Sequence, residues 1–219
     1  MHRPVPLSGL PAGTVRPIAR WGEAVLHTRP APVTSFDTEL AELVADLFAT
    51  MDAADGVGLA ANQIGVAQSL FVFDIRLDGG EGTDERAAGD PIAADDAPGH
   101  SPASGVVCNP VLQLSDDAGQ AWLSDEEGCL SLPGAFVPSK RALMATVTGV
   151  DHHGQPVGYT ASGFLARCFQ HETDHLDGVV FADRLSGWQR RRLQRQAARY
   201  AADYPDDWPV SAGLDDPAD

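Results

Sequence analysis

Apolar positions recur at helical spacing in the middle and again late in the chain, and at strand spacing in between. Leu40, Leu43, Val44, Leu47, Phe48 and Met51 fall on one face of an amphipathic helix that Ser35 or Asp37 is placed to cap. Phe164, Cys168, His171 and His175 keep the same period through residues 164–176, a run without Gly or Pro that Ser162 and Gly163 open and Gly178 closes. This spacing predicts a second helix with an apolar face below the two histidines. Residues 70–75, 106–114, 121–126, 145–151 and 157–160 read as strands. Few helices separate them, so the pattern predicts an α+β domain with mainly antiparallel sheets rather than a doubly wound one.

Two stretches break the pattern with charge of opposite sign. Residues 76–104 are rich in Gly, Ala, Pro and acids, with Asp78, Glu81, Asp84, Glu85, Asp90, Asp95 and Asp96 and hardly a large apolar side chain. They read as a mobile surface insertion without a catalytic role. Residues 188–199 carry Arg190, Arg191, Arg192, Arg195 and Arg199 and no acid, with Arg191, Arg195 and Arg199 on one helical stripe. A solvated face packed through Trp188, Leu193 and Tyr200 is the reading that so short a patch favours; docking to phosphates is the other. The acidic tail after Tyr204 is expected to be poorly ordered. The chain thus divides into an N-terminal extension (1–15), a catalytic domain (16–185) holding the insertion, and a basic helix with an acidic tail (186–219).

Composition narrows the class. The 219 residues suffice for one sizeable core, and the net charge of −16 argues against nonspecific nucleic-acid binding by the chain as a whole. No apolar run reaches the length of a membrane span, and no signal segment follows Met1. The acid-free start before Glu23 has the charge of a transit segment, but Pro4, Pro6, Pro11 and Pro17 break the helix such a segment needs. Three cysteines, an odd number, argue against a disulfide framework, and Cys108 and Cys168 read as packing residues.

The chemistry concentrates in Gln170-His171-Glu172-Thr173-Asp174-His175. On a helix, His171 and His175 project from one face and are able to share a metal, while Glu172 is near enough to move protons without being a ligand. That division of labour points to metal-assisted hydrolysis, with two unrelated histidines on an ordinary helix as the plain alternative. A catalytic ion commonly takes three protein ligands and keeps one position open. The best third candidate is Cys129, in Glu127-Gly128-Cys129-Leu130-Ser131 after Asp125 and Glu126, because a thiolate is a strong, soft ligand. Taken alone, such a cysteine is more often a small buried hydrophobe. Upstream, Gly56-Val57-Gly58-Leu59-Ala60-Ala61-Asn62-Gln63 is a small-residue loop that permits close backbone approach, and Gln63 is a neutral donor suited to a developing oxyanion.

Together and in this order, these three segments resemble the signature motifs of the peptide deformylase family, and the resemblance spans roughly residues 16–185. It implies sheets around a central metal-bearing helix, and removal of the formyl group from the N-terminal formylmethionine of newly made polypeptides with release of formate. It implies Cys129, His171 and His175 as ligands of one divalent ion, iron(II) foremost, with zinc, nickel or cobalt able to replace it. It further implies Glu172 as general acid/base, Gln63 and the Leu130 N–H as oxyanion donors, and Gly58, Val57 and Phe164 as substrate contacts. The partners implied are N-formylmethionyl nascent chains, met in the cytoplasm by a monomer, with the basic helix as a candidate ribosome contact.

Two positions depart from the family pattern. Asn62, where many relatives have proline, reads as a tolerated loop variant. Arg167, at an often apolar position near the methionine pocket, reads as a side chain snorkelling to solvent, with a reshaped pocket as the second reading. Rival functions are a zinc-dependent peptidase, for which Asp177 and Asp183 are the only carboxylates soon after the motif; an inactive relative, against which intact Cys129, Glu172 and Gln63 speak; and a cysteine hydrolase, which metal chelation would separate.

Overall fold

Leu70-Phe71-Val72-Phe73 is apolar without alternation because the strand it forms is covered on both faces. In the computed structural model, which describes residues 9–75, 104–114 and 121–210, this run is β2 (Leu70–Asp74), flanked by β1 (Gly58–Ala60) and β3 (Ser104–Leu114). With β6 (Met144–Val150) and β7 (Pro156–Ser162) they make a five-stranded antiparallel sheet in the order β1-β2-β3-β6-β7. A separate antiparallel pair joins β4 (Trp122–Gly128) to β5 (Phe136–Ala142). Three helices complete the fold: α1 (Thr38–Ala53), α2 (Gly163–Leu176) and α3 (Gly187–Arg199).

The period-2 geometry of strands sorts the sheet's side chains between two helices. Leu70, Val72, Val106 and Cys108 pack with Leu40, Val44, Leu47 and Met51 of α1. Phe71, Phe73, Val107 and Val147 pack with Leu165, Cys168, Phe169 and Leu176 of α2. Phe169 meets Phe73 edge-on, ring centroids 5.2 Å apart, and so seats α2 on the sheet. Asp37 caps α1, its carboxylate accepting from Leu40 N at 3.1 Å. Gly178, at φ 75°, ends α2 by bonding back to His175 O, a backbone turn that favours glycine. A third apolar cluster, of Cys129, Leu132 and Val137 with Phe181, Leu185 and Leu193, lies behind β5 and under α3.

The predicted helices and all five predicted strands are present within a few residues of their expected ends. β1 and β5 are additions. β1 is three residues of the glycine loop, too short to show a period. β5 contains Pro138, Ser139, Lys140 and Arg141, which contradict a strand pattern; it pairs only with β4, and its inward arginine finds acidic partners described below.

The expected disorder after Tyr204 is corrected for residues 205–210. Trp208 is buried in the cluster under α1, and its carbonyl accepts from Ile18 N at 3.0 Å. The end of the N-terminal extension is likewise tied down, Thr14 N donating to Asp46 Oδ1 on α1 at 2.7 Å. On α3 only Leu193 is buried, whereas Trp188 is 63% exposed, so the helix does not pack through Trp188 as expected, while the exposed Tyr200 just beyond it touches Gly134. Apart from Ser104, which begins β3, the expected acidic insertion lies outside the described residues, as does the tail beyond Val210.

Truncating Phe169 to alanine is expected to lower stability by about 3–5 kcal/mol, because a large ring would leave a cavity between two rigid layers. A urea unfolding midpoint within error of the unaltered protein's would contradict this account of how α2 is seated.

Candidate active site

One turn of α2 separates His171 from His175 and places both rings on the same side, with centroids 4.9 Å apart. Cys129 arrives from the end of β4, where Leu132 N donates to Cys129 O at 2.8 Å and closes a tight turn. All three residues are buried, and one ligand atom from each lies within 4.8 Å of the others. Cys129 Sγ is 3.2 Å from His175 Nε2. One sulfur and two imidazole nitrogens make a donor set that borderline divalent ions accept.

Glu127, two residues before the cysteine, fits this group to a cation. Its Oε1 accepts from His171 Nδ1 at 2.7 Å and from Arg141 Nη2 at 2.6 Å, and its Oε2 accepts from Arg141 Nε at 3.0 Å, Arg167 Nη1 at 2.8 Å and Ser139 Oγ. Burial works against its charge, but the bonds from His171 and Arg141 hold its carboxyl well below the usual range. An ionised carboxylate only accepts, so His171 carries its proton on Nδ1 and leaves Nε2 for a metal. Burial also opposes charge on His171, yet Cys129 and Glu127 raise its affinity for a proton well above normal, a field that a metal cation satisfies equally. His175 is pushed the other way, first by burial and then by His171, and stays neutral as a ligand must.

Arg141 also donates through Nη1 to Asp174 Oδ2 at 2.6 Å, and Arg184 reaches the same carboxylate from the surface. Arg167 does not snorkel. It is 4% exposed, pairs with Glu127, and donates to Ser139 O and Leu123 O, cross-linking α2 to both strands of the β4–β5 pair. Gln170 adds a second cross-link, accepting from Ala142 N at 3.0 Å and donating to Ala142 O at 2.9 Å.

Glu172 is buried beside the ligands, and its Oε2 has no partner among the described residues. Burial pushes its carboxyl up to about 7, with His171 pulling the other way. Gly58 shows why the loop lacks side chains at this point: a Cβ there would lie 2.5 Å from Glu172 Oε1 and 2.9 Å from Cys168 Sγ. Gln63 Oε1 accepts from Ala60 N at 2.9 Å, which turns Nε2 toward Ser131 Oγ (3.2 Å) and Cys129 Sγ (3.8 Å). The Leu130 N–H, one residue beyond the ligand sulfur, has no acceptor among the described residues.

Cys129, His171, His175, Glu172, Gln63 and Leu130 are therefore brought together, with Gly58 against Glu172. Val57 and Phe164 are exposed, Phe164 about two turns of α2 from His171. That exposure limits the buried face of α2 to the turns after Phe164. Asp177 and Asp183 are engaged elsewhere, by Arg29 and by Trp21 Nε1, and stand outside the ligand group. Asn62 is more than a loop variant: it is fully buried and its Nδ2 donates to His175 O at 2.6 Å, a bond proline could not make. The sequence reading passed over Glu127, Arg141, Asp174 and Gln170 as working parts, and gave Arg167 to solvent or to the methionine pocket. The available signal was charge in otherwise apolar company, at Arg141 beside Ala142 and at Arg167 and Asp174 on a helix destined for burial.

A family model described as polypeptide deformylase matches residues 15–191. Peptide deformylase 2 of Streptomyces coelicolor is 48% identical over 187 residues, 85% of this chain and 92% of that protein. The peptide deformylase of Acidothermus cellulolyticus is 45% identical over 181 residues, 83% of this chain and 84% of that protein. Among solved structures, the peptide deformylase from Legionella pneumophila aligns with a TM-score of 0.70 at 35% identity, covering 86% of this chain and 96% of that one. That from Synechococcus elongatus, in complex with actinonin, aligns with a TM-score of 0.66 at 32% identity, covering 85% and 88%. Matched in sequence and in fold over most of its length, the chain belongs to the polypeptide deformylase family.

Proposed function

We propose that this enzyme hydrolyses the formamide bond of N-terminal formylmethionine on newly made polypeptides, releasing formate and a free amine. The observation that carries the reading is the buried convergence of Cys129, His171 and His175 beside Glu172 in a chain of this family. These three residues would hold one divalent ion, iron(II) foremost by family resemblance, while zinc, nickel and cobalt suit the same donors. Bound there, the ion supplies Lewis-acid polarisation of the formyl carbonyl and makes water a stronger acid.

The chain's own residues do the rest. Glu172 takes the proton released as water adds to the formyl carbon and hands it to the amine nitrogen as the C–N bond breaks. A buried carboxyl poised at about 7 suits transfer in both directions. Gln63 Nε2 and the Leu130 N–H donate to the formyl oxygen as it gains charge, donors whose individual loss typically costs about 10²–10³ in rate. Gly58 lets the substrate main chain approach, and Val57 and Phe164 contribute apolar surface where the methionine enters. Glu127 keeps His171 in the tautomer a ligand needs, and Arg141 and Arg167 keep Glu127 charged and stationary.

A nascent-chain substrate supports a cytoplasmic enzyme, and the family resemblance supports a monomer; among the described residues no helix is long and apolar enough to cross a membrane. Arg191, Arg195 and Arg199 are exposed along α3, which supports docking of that helix to ribosomal phosphates.

Formate release from a formylmethionyl peptide by the iron-loaded protein tests the reading. Glu172→Ala is expected to keep the metal and lose nearly all turnover, whereas Cys129→Ser loses or loosens the metal; a chelator should silence the unaltered protein, which a thiol nucleophile would survive. Formate release at the normal rate by Glu172→Ala would end the assignment. Arg167→Met, which loosens Glu127 behind His171, is expected to weaken metal retention in competition with a chelator by less than the about 10–100-fold that losing a ligand's own partner costs; unchanged retention would mean that Arg141 alone suffices. Co-sedimentation with ribosomes should fall as salt rises and disappear when Arg191, Arg195 and Arg199 are replaced by glutamate, and salt-insensitive binding would exclude docking through α3.

A further inference from the structure

The two segments that carry the oxyanion donors are bridged by one short piece of the N-terminal region. Ala19 N donates to Gln63 O at 2.7 Å, and two residues on, Trp21 N donates to Ser131 O at 3.0 Å. Residues 18 and 20 of the same strap face the C-terminal segment instead. Ile18 N donates to Trp208 O at 3.0 Å, and Arg20 donates through Nη2 to Pro205 O at 2.8 Å and Tyr204 O at 3.2 Å. The Arg20 guanidinium also lies over the Trp208 ring, 5.4 Å from its centroid.

Trp208 is itself held from below and from the side. It is buried in the cluster that includes Ile18 and the apolar face of α1, and Tyr204 meets it edge-on at 5.2 Å. Tyr204 and Tyr200 cover Gly134, where a Cβ would lie 2.9 Å from Tyr204 Cε2 and 3.0 Å from Tyr200 Cβ. The C-terminal segment therefore touches both the strap and the far end of the turn that begins at Cys129. Trp208 lies beyond residue 191, where the family match stops.

We propose that Trp208, together with Arg20, is a positioning residue for deformylation: closed over the strap, it sets the separation of Gln63 from the Leu130–Ser131 backbone and so presets the two donors for the developing oxyanion. Donors of this kind act by preorganisation, and a misplacement of about 1 Å can cost on the order of 10²-fold in rate. Charge on the formyl oxygen is greatest in the transition state, so loosening the clasp falls on turnover more than on substrate binding. The inference rests on the deformylase reading and on the donor roles given to Gln63 and Leu130.

The test uses full-length, metal-loaded protein carrying Trp208→Ala, Trp208→Phe or Arg20→Met, with formate release, metal content and thermal midpoint measured on each. Trp208→Ala is expected to lower kcat by about 10–100-fold while KM stays within about twofold and the metal is retained. Trp208→Phe, which keeps an aromatic ring between Arg20 and Tyr204, should restore most of the loss, and Arg20→Met should give a smaller drop of the same kind. A folded, metal-loaded Trp208→Ala protein with unchanged kcat, or one whose loss lies in KM or in metal content, overturns the proposal. If Trp208→Ala does not fold, the half-buried Arg20→Met decides, and unchanged kcat there overturns it as well. An inactive unaltered chain would instead count against the deformylase reading itself.

Discussion

A carboxylate away from water must have its charge answered on all sides, and the structure around Glu127 is organised by that demand. Its partners come from two elements: His171 and Arg167 from α2, and Ser139 and Arg141 from β5. Removing ions from water costs several kcal/mol each, so such a group stabilises only when its full set of partners is present. The β4–β5 pair thus docks against α2 in one arrangement, because partial arrangements strand a buried charge. Cys129 is two residues beyond Glu127 on the same strand end, so the register that satisfies the carboxylate also delivers the sulfur to the histidines. Arg141 and Arg184 extend the lattice through Asp174 to the surface.

Apolar packing does different work from the ionic lattice. The sheet is thick with side chains on both faces at β2 and β3, and α1 and α2 take opposite faces. That arrangement makes α2 a rigid carrier, with one side of each turn committed to Phe71, Phe73 and Val107 and the next turned to the ligands. The cost of so close an approach is borne at Gly58, where any side chain would collide with Glu172 and Cys168. Glycine at position 58 is therefore a packing requirement set by the neighbouring helix, not by its backbone conformation.

The outermost described segments are part of the same construction. Thr14 and Arg16 bind Asp46 on α1, the strap of residues 18–21 spans the Gln63 and Ser131 loops, and Trp208 closes over it. A single buried tryptophan in an otherwise acidic, proline-containing tail outweighed the composition around it. Composition averages over residues, whereas a buried ring contributes on the order of 2–3 kcal/mol at one position.

Local order was legible in the chain by itself. The helix faces of α1 and α2, the capping Asp37, the closing Gly178 and the His-Glu-x-x-His spacing are short-range facts, each settled by residues within a turn or two of one another. Convergence was not legible in that way. That Cys129 meets His175 from 46 residues away was legible only through the resemblance carried by the three motifs together, and that Arg167 turns inward to Glu127, that Arg141 belongs to a strand, and that Trp208 belongs to the core are decided by partners distant in sequence. Side-chain type declares what a residue can donate, accept or bury. Only the tertiary structure decides which of those capacities is met from within the protein and which is left to solvent, because the energy of a charge or a ring depends on what surrounds it once water has been displaced.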